Sequence, residues 1–287
     1  MQIRYDFSIS DLLLRVESPR EIHIPDNFRP FLAENTPTHS PDITFQFLFE
    51  TTTRASDEGI GKLPPDTREK DFHELKFFRL SERESIVRCA PSGRGFPCRI
   101  FIPQSFADTF CENGNWLLYM GLQRLVLPYN RFFLHASAVI YQGKAYLFSA
   151  PSGGGKSTHA NLWKQHFGAK IINGDKVLIE VRDGQCIAHG SPVAGSSGIY
   201  EKEAAPIAAI YLIKKEKQNR IFPVSPRCAI LSLYSEAIKC NQDPTFNSRL
   251  LDLIEKLQMH VQISCLACLP DKSAVECVLQ NNEGMTL

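Results

Sequence analysis

Ile3, Tyr5, Phe7 and Ile9 alternate with polar residues, the period of a half-buried strand. Ile43, Phe45, Phe47 and Phe49 repeat that spacing. FHELKFFRL, SIVRCA and CRIFIP read as further strands, so the first 110 residues are expected to be β-rich. Residues 51–70, TTTRASDEGIGKLPPDTREK, are polar, charged and broken by glycine and Pro-Pro, the composition of an exposed loop. The rhythm changes over 112–128, ENGNWLLYMGLQRLVLP, where Leu118, Leu122 and Leu125 fall at helical spacing. Asn113 or Asn115 is placed to cap such a helix and Pro128 to end it. The chain is therefore divided into a β-rich region, 1–111, and a second region, 112–287.

The second region alternates the two periods. FFLHASAVIY and KAYLFSA flank Gln142-Gly143, with glycine at the second position of a tight hairpin turn. KSTHANLWKQHF places Ala160, Trp163 and Phe167 on one helix face. KIINGD reads as a short strand, and KVLIEV and QCIAHG as a second hairpin around Asp183-Gly184. AAPIAAIYLIKK reads as a strand, and PRCAILSLYSEAIKC and TFNSRLLDLIEKLQMH as helices with apolar stripes. The strand VQISCLACLP and the helix DKSAVECVLQ close a mixed α/β pattern.

Composition narrows the classes. The 287 residues are 43% hydrophobic and 22% charged, as expected of a soluble globular protein. A net charge of +1 gives no reason to expect a nucleic-acid or anionic-membrane partner. No apolar run approaches 18 residues, and MQIRYDFSIS lacks the apolar core of a signal peptide, so a cytoplasmic location is expected. Nine cysteines are scattered along the chain. Cys265 and Cys268 form a CLAC pair, but no second pair completes a four-ligand zinc set, and the segment reads as a buried strand.

The candidate chemistry lies in SAPSGGGKSTHANLW, 149–163. Against the phosphate-binding pattern G-x-x-x-x-G-K-[ST], Ala150 takes the first glycine position, followed by Gly155, Lys156 and Ser157. Glycines let backbone N–H groups turn inward into an anion nest, and the helix that follows presents its unpaired first-turn N–H groups to the same point. Ser152, Gly153, Gly154, Gly155, Lys156, Ser157 and Thr158 are the expected nucleotide-binding residues. Lys156 adds a full charge at the outer phosphates, and Ser157 places a hydroxyl where Mg²⁺ would bridge them. Asp175, at the end of a short strand beside the loop, is the expected carboxylate for that metal. His159 reads as a surface or packing residue, and GSPVAGSSGIYEK, 190–202, as a lid or an ordinary connection. Because the loop's strand is entered by a hairpin, the preceding strand runs antiparallel to it, unlike the parallel βαβ unit of most phosphate-loop proteins.

The block FLHASAVIYQGKAYLFSAPSGGGKST resembles HPr kinase/phosphorylase and its relatives, which share a phosphoenolpyruvate-carboxykinase-type nucleotide-binding fold. Their loop has the form G-x-S-G-x-G-K-S, matched here at all but the first position by Ala150-Pro151-Ser152-Gly153-Gly154-Gly155-Lys156-Ser157. A histidine on the strand one hairpin upstream is matched by His135, and an acidic pair beyond the first helix is met by Asn173-Gly174-Asp175. The resemblance covers residues 132–215 and is absent from the first 110. It implies an α/β, mixed-sheet phosphate-loop domain binding ATP and Mg²⁺, with His135, Lys156 and Asp175 catalytic and Ser157 and Asp175 at the metal. It also implies phosphoryl transfer to a hydroxyl on a protein, peptide or small molecule. The chain departs from the family at Gly174, where the other acid of the pair, the base that takes the acceptor's proton, would stand. Asp175 serving both roles, His135 acting as base, and nucleotide binding without transfer all remain open. A one-residue shift would put Asp175 at the base position and Lys176 at the metal position.

Overall fold

The computed structural model describes residues 2–34, 39–50, 73–79, 82–89, 97–104, 107–108, 121–193, 195, 197–239 and 243–283. The expected loop at 51–70 and the capping Asn113 and Asn115 lie outside them. The chain is mixed α/β and divides into two compact units, Met1–Leu125 and Val126–Leu287.

The first unit carries a six-stranded mixed sheet in the order β1-β2-β3-β6-β5-β4. Its strands are β1 (Ile3–Ile9), β2 (Leu12–Ser18), β3 (Ile43–Glu50), β4 (His73–Arg79), β5 (Glu82–Cys89) and β6 (Cys98–Pro103). Phe7, Ile9, Leu14, Val16, Phe45, Phe47, Ile100 and Ile102 are buried at alternate positions, so one face of the sheet builds the core. Phe28 and Phe31, from the 3-10 turn Asp26–Phe31, complete it. The helical pattern of 112–128 appears, among the described residues, as the short α1 (Leu122–Val126).

The second unit is built on an eight-stranded sheet. Its strands are β7 (Arg131–Tyr141), β8 (Lys144–Ser149), β9 (Lys170–Asn173), β10 (Lys176–Arg182), β11 (Gln185–His189), β12 (Ala204–Lys215), β13 (Arg220–Pro223) and β14 (Gln262–Cys268). Four helices accompany them among the described residues: α2 (Lys156–Phe167), α3 (Pro226–Glu236), α4 (Pro244–His260) and α5 (Lys272–Glu283). The order is β11-β10-β7-β8-β12-β14-β13, and a further β11–β12 pairing closes the first five strands into a ring. β7 and β8 are antiparallel, as the hairpin requires, while β8, β12 and β14 run parallel. Both two-residue turns have left-handed residues at both positions, Gln142 (φ 50°) with Gly143 (φ 75°) and Asp183 (φ 36°) with Gly184 (φ 81°).

β8 is buried on both faces. Ala145 and Leu147 join a core with residues of α3 and α4, including Leu233, Leu250 and Leu257. Tyr146 and Phe148 join another with Trp163 of α2 and Val275 of α5. The sheet thus has helices on two sides, and the loop after β8 emerges between the two layers. Trp163 is fully buried, stacked on Tyr146 at 4.8 Å between ring centroids. It fixes α2, and so the amino-terminal turn of that helix, against the sheet.

Candidate active site

The glycine segment lies where the sequence places it, between the end of β8 and the start of α2. Gly153 (φ 75°) and Gly155 (φ 104°) take left-handed backbone that a side chain would oppose. Gly154 is required for a different reason. A Cβ there would stand 2.5 Å from that of Ala150 and 2.9 Å from the Pro151 carbonyl, which accepts the Gly154 N–H. α2 begins at Lys156 with no side-chain cap, leaving its first-turn N–H groups for other acceptors. Lys156 is 7% exposed and donates to the carbonyls of Ala150 (2.7 Å) and Pro151 (3.3 Å). Burial lowers its pKa, and the negative charges of Glu236 and Asp175 act the other way. Ser152, Gly153, Ser157 and Thr158 are exposed, and Gly154 and Gly155 half-buried. One wall of the loop opens on a cleft of about 420 Å³, lined by the loop with Leu162, Ile213, Lys215, Glu216, Leu269 and Pro270.

On the other side of β8 lies a polar cluster around His135. The β7–β8 register pairs Ala136 with Ser149, so His135 falls level with Ala150, the first residue of the loop. On the opposite edge of β7, His135 pairs with Lys176 of β10, next to Asp175. The Asp175 carbonyl accepts from Ala136 N–H (3.0 Å), and that of Gly174 from the Ser137 hydroxyl (2.9 Å), which pins the connection to β7. The His135 ring is held at both nitrogens, Nε2 lying 3.0 Å from Asp175 Oδ1 and Nδ1 3.0 Å from Glu236 Oε2. An ionised carboxylate only accepts, so each contact calls for a hydrogen on the ring nitrogen it faces. Lys176 bonds the other oxygen of Asp175. Burial acts to raise the Asp175 pKa, but the Lys176 bond and the charges of Lys176, His135 and Lys156 together outweigh it. The carboxyl therefore lies below its ordinary value and is ionised at neutral pH.

Asn173, fully buried, organises this corner. Its Oδ1 accepts from Asp175 N–H (2.8 Å) and Lys176 N–H (2.7 Å), an Asx turn that aims Asp175 at His135. Its Nδ2 donates to the Ser191 and Val193 carbonyls, tying in the segment 190–202. That segment lies close over the acid, since a Cβ on Gly195 would meet Asp175 Oδ2 at 2.1 Å.

The structure thus brings His135 and Asp175 together and sets Lys156 within electrostatic reach of Asp175. His159 belongs to the packing. It is 2% exposed, and its Nε2 accepts from Trp163 Nε1 at 3.2 Å. Cys265 and Cys268 lie on β14 as free thiols, three residues apart and so on opposite faces of the strand. Among the described residues no helix is long and apolar enough to cross a membrane.

Glu236 was not identified from sequence. PRCAILSLYSEAIKC reads as helix through to Cys240, whereas α3 ends at Glu236 and Ala237 turns extended (φ −71°, ψ 147°). Ala237 then bridges Leu134, and Ile238 N–H donates to the Phe133 carbonyl (2.9 Å). No glycine or proline marks that end, so no local signal was available.

No family model matches the chain, and no curated protein matches it. Among solved structures, the Hpr(Ser) kinase/phosphatase from Coxiella burnetii is similar at 10% identity, over 54% of this chain and 99% of that one, with a TM-score of 0.33. At that score the likeness assigns no role to any residue.

Proposed function

We propose that the chain is an ATP- and Mg²⁺-dependent kinase. It transfers the γ-phosphate to a hydroxyl on a protein, peptide or small molecule, and works in the cytoplasm without nucleic-acid or membrane partners. One observation carries the reading: a glycine segment with Lys156 at the amino end of α2 stands beside a histidine–carboxylate cluster built from a different strand. The loop amides and Lys156 hold the β- and γ-phosphates. The acceptor oxygen attacks the γ-phosphorus, the bond from that phosphorus to the β–γ bridging oxygen breaks, and ADP leaves. The acceptor's proton passes to an oxygen of Asp175, while His135, carrying a hydrogen on both ring nitrogens, steadies the charge of the transferring group.

Ser157 and Asp175 would hold a magnesium ion, which in phosphotransferases is held by one or two carboxylates plus substrate phosphates. Asp175 is ionised, and the Lys176 ammonium already rests on one of its oxygens, so the position accommodates a cation. Lys176 is partly exposed on a flexible stem and can give way. When bound, the metal supplies charge neutralisation at the phosphates.

Gly174 favours a second reading, a nucleotide-binding regulator that transfers nothing, because a carboxylate is missing from the turn that carries Asp175. Both readings give heat on titration with Mg-ATP. Tracing label from γ-³²P-ATP into lysate-derived acceptors separates them: the kinase labels an acceptor, and Asp175→Asn abolishes the labelling. Label on no acceptor, with nucleotide affinity unchanged in Asp175→Asn, leaves only the regulator.

A further inference from the structure

Gly174 cannot carry the missing acid. A Cβ on it would stand 2.2 Å from the Ser197 hydroxyl and 2.5 Å from its Cβ, so the 190–202 segment leaves no room there. A second carboxylate is nevertheless present, on a different element. α3 ends where β8 has left the edge of β7, and the chain after it takes that edge. Val177 already pairs with Leu134 on the β10 side, so the Leu134–Ala237 bridge lies on the other. An antiparallel bridge at Leu134–Ala237 sets the next residue of β7, His135, level with Glu236. Two carboxylates, Asp175 and Glu236, thus bracket one imidazole from the two edges of a single strand.

Glu236 is also badly placed for the helix that carries it. An acid in the last turn opposes the negative end of the helix dipole, and its side chain is only 17% exposed. The groups it faces across the site are His135, at 3.0 Å, and Lys156. We propose that Glu236 is the positioning residue of this site: it holds Nδ1 of His135, so that Nε2 is turned toward Asp175 and the phosphate loop. The ring keeps one orientation through turnover, and the position of Gly174 is released to pack against Ser197. The role given to the site rests on the kinase reading above, while the orientation of the ring does not.

The test uses the full chain with ¹⁵N-labelled histidine, His135 being assigned by loss of its signals in His135→Asn. In the wild type, Nδ1 of His135 should show a hydrogen held in a carboxylate bond. In Glu236→Gln that signature should disappear, and in Glu236→Asp it should weaken. Calorimetry with Mg-ATP on the same samples should show binding retained in each variant, because Glu236 bonds the ring and acts on Lys156 only through space. If acceptor labelling is found, Glu236→Gln should lower kcat by about tenfold to hundredfold and leave the KM for ATP in place. An unchanged His135 signature in Glu236→Gln overturns the proposal. So does loss of Mg-ATP binding in that variant, which would put Glu236 in the nucleotide site. Absence of Mg-ATP binding by the wild type defeats the kinase reading instead, and the ring signature still decides this one.

Discussion

Trp163 gives its indole hydrogen to Nε2 of His159, which leaves that nitrogen no room for a proton of its own. Burial lowers the His159 pKa from 6.5 to about 4. Between those values the unfolded chain binds a proton that the folded chain refuses. Stability from this group is therefore full above pH 6.5 and is lost as pH falls toward 4, by about 3 kcal/mol in all. Denaturant melts of His159→Gln, which can still accept from Trp163, should show a flatter acid limb than wild type. The same scale decides what Gly174 does. If it merely lacked an acid, Gly174→Asp would complete the pair. The approach of Ser197 says otherwise, and that variant should cost about 1–3 kcal/mol and displace the 190–202 segment. A Gly174→Asp protein as stable as wild type, by urea titration, would contradict this account of the site.

Elements that announce themselves do so through local chemistry. The turns at Gln142-Gly143 and Asp183-Gly184 carry glycine where left-handed backbone is needed, so both hairpins were legible. The β1–β2 turn uses Ser10 (φ 51°) and Asp11 (φ 61°), without glycine, and β2 went unread in the run LLLRVES. The place of the glycine segment between β8 and α2 was legible from its pattern, and His135 and Asp175 were each singled out from the sequence, but their contact was not. Glu236 owes its place to a partner 101 residues away in chain, and Asn173 to bonds with Ser191 and Val193 as well as its local Asx turn, and such distant partners no window of sequence displays. Helix starts, by contrast, are local. Asp243 accepts from Phe246 N–H (2.9 Å) at the start of α4, the helix whose Leu250, Leu253 and Leu257 fill one core. Asp243→Ala should cost about 1 kcal/mol, read as a lower denaturation midpoint with unchanged slope. A fall in slope would show instead that the helix frays in the native state.

At the scale of the whole molecule, the decisive fact is that the two compact units each have a buried core of their own, and that the loop, the His135 cluster and the cleft all belong to Val126–Leu287. A ligand that binds only the folded form stabilises what it binds. On the kinase reading, Mg-ATP at a hundredfold excess over its dissociation constant should contribute about 2.7 kcal/mol. For a unit of this size that is a rise of roughly 5–10 °C in midpoint. Calorimetric unfolding should therefore show two transitions, of which nucleotide moves one. Lys156→Met, which keeps the aliphatic stem but removes the ammonium group, should cancel the shift; it also lowers the unliganded transition, because the Ala150 and Pro151 carbonyls lose their donor. Hydrogen exchange gives the address: protection on adding Mg-ATP should rise at residues 152–158 and around Asp175, and not along β1 to β3. A single transition that moves as a whole would mean that the first unit unfolds with the second. Then the β-rich region would share the energy of nucleotide binding, and that coupling is what a regulator needs in order to report its bound state.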